Sequence, residues 1–255
     1  MLVGSKETLT MDNTQLIGLS RQTALRHQMD VIANNLANLN TTGFKSQALM
    51  FEEYLMPVAE VSDENGIAND LSYVIDYASN RDFSSGGMVR TGNPLDIAIQ
   101  GKGWLVVETP EGERFTRDGS LSRNADGELV TKSGLRVLGA DGPIQIPADE
   151  TGIVIAADGT VSTDKGVKGK FRVVGFADES KLENLGGNLF NGEGGQDLEN
   201  PVVRQEMIER SNVRAITEIT RMIEVTRAYQ SVSTVLQQQA ELQTTAIEKL
   251  GTVEA

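Results

Sequence analysis

VIANNLANLNTTGFKSQ, residues 31–47, decides how the rest of the chain is read. Its first half has helical spacing. Yet it carries Asn34, Asn35, Asn38 and Asn40 before a Thr41-Thr42-Gly43 break and then Phe44-Lys45. Asparagine is a mediocre helix former, because its short amide competes for backbone hydrogen bonds. So many in one short span need a reason. One is plain polarity on the outer face of an amphipathic helix. The other is packing: an amide offers two donors and two acceptor lone pairs without charge. It can therefore satisfy a close neighbour without burying an ion.

Upstream of this stretch, residues 13–40 contain no proline and only one glycine. Leu25, Met29, Ile32, Leu36 and Leu39 follow one another in steps of 4, 3, 4 and 3. That is a heptad seam, and it predicts a helix in search of a partner helix. At the α-helical rise it would be about 40 Å long. Asn40 and Gly43 are expected to end it, since both tolerate the left-handed conformation that closes helices. Residues 1–12 are expected as a flexible tail, and Met11 is a candidate start because the pattern begins just after it.

A second helical region runs over residues 213–250, again without proline or glycine. Ser211 or Asn212 is expected to cap it. Its apolar positions begin as Ile216, Ile219 and Ile223, and continue as Met222, Val225, Tyr229, Val232 and Leu236. Beyond Leu236 the seam thins into Gln237, Gln238, Gln239 and Gln243. A helix about 55 Å long cannot hide against a small globule; it needs a long partner.

The middle of the chain has a different texture. Short apolar runs recur as LDIAIQ (95–100), WLVVET (104–109), ELVT (128–131), GIVIAA (152–157) and FRVVGFA (171–177). Glu111-Gly112, Asp126-Gly127, Asp141-Gly142 and Asp158-Gly159 lie between them, and such pairs make tight hairpin turns because glycine accepts positive φ. No helix-length pattern interrupts the runs, so antiparallel β is expected over 81–211. Residues 48–80 are read as an extended connector with one short strand near Leu71–Asp76.

The predicted fold class is thus α+β: N- and C-terminal helices pairing as a stalk, with an all-β antiparallel domain inserted. The stalk is assigned to residues 13–47 plus 212–251. Pairing of each helix with copies in other subunits is the alternative, and the weak glutamine-rich end favours some intermolecular role. The expected packing residues are Leu25, Met29, Ile32, Asn34, Asn35, Leu36, Asn38, Leu39, Gly43 and Phe44. On the second helix they are Ile219, Ile223, Arg227, Tyr229, Val232 and Leu236.

Composition excludes several functions. The formal charge of −13 opposes nucleic acid and anionic lipid, both of which want a basic surface. There is no cysteine, so disulfides and thiolate chemistry are absent. No apolar run is long enough to span a membrane, and MLVGSKETLT lacks a secretory core. His27 is the only histidine, which leaves a triad or metal cluster without partners. The Asp-Gly turns lack the full spacing of a calcium loop, and Gly101-Lys102-Gly103 lacks that of a phosphate loop. No cofactor, metal or catalytic residue is expected. A β-rich enzyme and a helical-hairpin envelope adaptor remain as competing classes.

Three blocks also carry a resemblance. MDVIANNLANLNTTGFKSQ (29–47), NPLDIAIQGKGWLVVETPEGERFTRDGSLSRNADGELVT (93–131) and EITRMIEVTRAYQSVSTVLQ (218–237) resemble, in this order, the bacterial flagellar axial proteins of the rod and hook group. The modest length leaves no room for the large outer domains of hook proteins. GWLVVE together with PADETGIVIAADGTVS (147–162) looks more like the proximal than the distal rod type. The resemblance implies a non-enzymatic polymer subunit in the periplasm-crossing rod. It implies terminal helices lining an export channel, and partners among its own copies, other rod proteins and the flagellar type III export apparatus. Export would then need no cleaved signal.

Overall fold

A computed structural model describes residues 5–56 and 71–251. Residues 1–4 of the expected tail and 57–70 of the expected connector lie outside the described residues. The chain divides into two compact units. One falls within Met1–Leu36, Gln47–Asn80 and Ala215–Ala255; the other is Ala37–Ser46 with Arg81–Arg214.

The first unit is built on two long helices, α1 (Ser5–Ala37) and α2 (Ala215–Gly251). They pair antiparallel: Gln15 bonds Gln243, Gly18 lies against Leu236, Met29 meets Thr226 and Asn35 meets Glu218. As residue numbers rise along α1 they fall along α2, so one register holds from Gln15 to Asn35. The facing side of α2 runs through Glu218, Met222, Val225, Tyr229, Val232, Leu236, Gln239 and Gln243, all buried or half-buried. That is an unbroken heptad seam whose last two positions are amides instead of apolar groups.

Four expectations shift here. α1 already covers residues 5–12, which were read as a tail, and its last helical residue is Ala37 rather than Asn40. The assigned connector contains two strands, Gln47–Met56 and Leu71–Arg81, which pair with each other. The run Ile216, Ile219 and Ile223 does not open the seam. All three are exposed, at 82%, 46% and 48%, on the other face of α2.

The second unit is antiparallel β. Its main sheet orders Glu183–Gly186, Leu189–Asn191, Gly112–Thr116, Trp104–Thr109, Arg136–Gly139, Leu129–Thr131 and Leu121–Arg123. Smaller pairs join Ile97–Gln100 to Val202–Gln205 and Met88–Arg90 to Met207–Glu209. The expected turns form: Gly112, Gly127, Gly142 and Gly159 all take positive φ. Strand Trp104–Thr109 is buried on both faces, which accounts for the unbroken apolar run WLVV. Leu105 and Val107 enter a core with Ile97, Leu129, Val137 and Phe171. Trp104 and Val106 enter another with Phe115, Val174, Phe176 and Phe190. In that second core the Trp104 and Phe190 rings stand edge to face at 4.8 Å.

Candidate functional site

The loop after α1, assigned from the sequence to the stalk, belongs to the β unit. Thr42, Gly43, Phe44 and Lys45 are all buried. Residues 44–46 are a strand-like segment that, with Gly43, bonds to a neighbour on each side. On one side the Gly43 amide donates to the Glu209 carbonyl at 2.8 Å, and the Ser46 amide to the Asn212 side chain at 2.7 Å. On the other side the Asp82 amide donates to the Ser46 carbonyl at 2.9 Å. Gly43 has φ +70°, and a Cβ there would stand 2.4 Å from the Arg117 carbonyl carbon, so only glycine fits.

This segment carries Lys45 into a buried charge cluster. Lys45 Nζ donates to Glu209 Oε1 at 2.8 Å and to the Ser84 carbonyl at 2.8 Å. Arg117 Nη1 lies 3.4 Å from Glu209 Oε2, and the Gly86 amide donates to Glu209 Oε1 at 2.9 Å. The three charged side chains are 0–2% exposed. Burial pulls the Lys45 amine below the usual lysine range, with Glu209 opposing the shift. Burial likewise lowers Arg117. The Arg117 guanidinium sits 5.2 Å over the Trp104 ring, and Trp104 Nε1 donates to Glu179 at 3.0 Å. A pair of cations around one carboxylate is costly to desolvate unless its hydrogen bonds are met, and here most of them are.

The asparagines divide by role. Asn35 is 1% exposed. Its amide donates to the Gln47 carbonyl at 2.8 Å and accepts from the Gln47 amide at 2.9 Å, standing in for a neighbouring strand. It also donates to Glu218 of α2 at 3.3 Å. In the β unit, Asn40 accepts from Arg210 at 3.3 Å and Asn38 accepts from the Thr41 hydroxyl at 3.1 Å. Asn34 is exposed on α1.

Among the other expected packing residues, Ile32 and Phe44 are buried. Leu25, Met29, Leu36, Leu39, Tyr229, Val232 and Leu236 are half-buried. Ile219, Ile223 and Arg227 are exposed on α2. Ser211 or Asn212 was expected to cap α2. Asn212 instead donates to the Asp82 carbonyl at 2.7 Å and holds residues 43–46 in place. Lys45, Arg117, Glu209 and Glu218 were not singled out from the sequence. Lys45 and Glu209 find each other, and Glu218 finds Asn35, across a long stretch of chain, which no local pattern marks.

These features define a helical stalk unit and a β unit clasped shut by both of its chain ends. Three segments match known families: residues 16–45 "Flagella basal body rod protein", 98–163 "Flagellar hook protein FlgE/F/G D1 domain", and 204–249 "Flagellar basal body rod FlgEFG protein C-terminal". The chain belongs to the flagellar basal-body rod protein family. It is 38% identical to the "Flagellar basal-body rod protein FlgF" of Caulobacter vibrioides, over 95% of this chain and 100% of that one. It is 31% identical to the FlgF of Mesorhizobium japonicum, over 94% and 99% of the two chains. It is 34% identical to the "Flagellar basal-body rod protein FlgG" of Agrobacterium fabrum, over 84% and 90%.

Proposed function

We propose that this chain is a structural subunit of the flagellar basal-body rod and polymerises through its terminal helices. The observation that carries this reading is the ridge Ile216, Ile219 and Ile223. These β-branched side chains follow at helical spacing on one side of α2 and stay exposed, while the heptad seam on the facing side is already filled by α1. A contiguous exposed apolar ridge on a soluble helix marks an interaction surface. In a tubular polymer the ridge packs on the helices of neighbouring copies around the export channel.

The finer reading is a proximal, FlgF-like position in the periplasm-crossing drive shaft, reached through the flagellar type III export apparatus. Near-complete coverage of the FlgF relatives supports it, against the shorter coverage of the FlgG relative. The subunit role involves no catalytic step.

The test is a strain lacking its FlgF-type subunit, complemented with this chain. Wild-type sequence should restore swimming, and the Ile219→Asp/Ile223→Asp variant should be exported and folded yet fail to enter purified basal bodies. Normal swimming by that variant sinks the ridge as the polymer contact. Rescue of a FlgG-deficient strain alone would move the chain to the distal rod.

A further inference from the structure

The β unit carries a recess of about 330 Å³ beside the buried clasp. It is lined by Phe83, Ser84, Ser85, Lys102, Arg117 and Glu179, together with the Gly101 backbone. Lys102 sits exposed in the turn between strands Ile97–Gln100 and Trp104–Thr109. Most lysines and arginines of this unit have a carboxylate or carbonyl partner. Lys102 makes no ion pair or hydrogen bond among the described residues. Arg117 is 5% exposed, and its Nε is buried without a hydrogen-bond partner among the described residues. Glu179 is already engaged by Trp104 Nε1, and Glu209 by Lys45 and Arg117.

The lining of the recess itself therefore holds two cations, Lys102 and Arg117, against one carboxylate, Glu179. One positive charge is left over, in a chain whose formal charge is −13. We propose that the recess receives an acidic side chain from a second copy of this chain, its carboxylate pairing with Lys102 over the Arg117 guanidinium. This rests on the reading of the chain as a polymer subunit and adds a contact between β units. Charge complementarity names the occupant: exposed acids at hairpin tips, such as Glu111, Asp126 and Asp141, present the missing charge on every copy.

The experiment mixes equal amounts of 14N- and 15N-labelled full chain at assembly concentration. A carbodiimide then joins amines to carboxylates in direct contact, and mass spectrometry finds mixed-isotope cross-linked peptides. Mixed cross-links through Lys102 are expected. Ser85→Trp, which fills the mouth of the recess from an exposed position, should abolish them while Lys102 keeps its reactivity toward a monofunctional acylating reagent. Mixed cross-links elsewhere but none through Lys102 overturn the recess and leave the subunit reading standing. Lys102 cross-links that persist in Ser85→Trp, or that join Lys102 to Glu179 of its own copy, also overturn it. A complete absence of mixed cross-links overturns both readings.

Discussion

Lys45 Nζ and Glu209 Oε1 lie 2.8 Å apart across 164 residues of sequence, both sealed from solvent. Lys45 follows α1 and Glu209 precedes α2. The β unit is therefore closed by residues drawn from its own entry and exit. Removing Glu209 strands two buried cations, Lys45 and Arg117, at a cost of about 3–5 kcal/mol, whereas removing Lys45 leaves Glu209 paired with Arg117.

Glu209→Gln should destabilise the β unit by that amount and Lys45→Met by less, and the double variant should cost less than the two together, because only Arg117 is then left without its carboxylate. Trp104, the only tryptophan, is fully buried in this unit, so its fluorescence follows the relevant transition in urea. Additive single effects would refute the coupling.

Gly43→Ala must move backbone, because the obstruction is the Arg117 carbonyl and not a flexible side chain. With the added strain at positive φ, a loss of about 3 kcal/mol is expected in the same Trp104 transition. A Gly43→Ala protein as stable as wild type would show that the segment 43–46 is not held where it is described.

Asn35→Ala removes two hydrogen bonds to the Gln47 backbone and one to Glu218. Buried groups left unpaired make this worth about 2 kcal/mol. The loss should appear in helix melting by far-UV circular dichroism, with the Trp104 transition unmoved. A melting curve identical to wild type would mean that the amide contributes nothing to the stalk.

Asp118 is partly buried, and desolvation raises its carboxyl above 3.8. A carboxyl raised in the folded state costs stability wherever it is ionised in both states. That cost is full above the folded value and vanishes as pH falls to the unfolded one. Asp118→Asn keeps an acceptor for the Ser120 amide and drops the charge. It should be more stable than wild type at pH 7, with the advantage shrinking on acidification toward 3.8. A constant advantage over that range would exclude the desolvated charge as its source.

Much of the fold was legible because its signals are local. The heptad steps at Leu25, Met29, Ile32 and Leu36 locate α1, and the Asp-Gly pairs mark real turns at Gly127, Gly142 and Gly159. Two seams competed on α2, and single-sequence spacing could not choose between Ile219–Ile223 and Met222–Val225. Only the partner helix decides which side is inner. The quoted stretch misled most at its end. Thr41-Thr42-Gly43 reads as a helix stop at the end of the stalk, yet it and the next residues are packed into the β unit. That packing depends on Glu209, Asn212 and Asp82, none of which is near in sequence. Truncation at residue 45 would accordingly remove part of the β unit rather than trim a stalk from an intact core.

The pairing of residues 43–46 with 209–212 also sets the route taken by force. A pull or twist delivered through the ends of α1 and α2 that adjoin the β unit arrives at two neighbouring segments. It is resisted there by a few hydrogen bonds and one ion cluster, loaded side by side. Apart from the residues that bond directly to the clasp, such as Asp82, Ser84, Gly86 and Arg117, the many residues between Lys45 and Glu209 lie off that route. The β unit is in this sense mechanically short-circuited: its hairpins can vary in length and sequence without lengthening the element that bears the load.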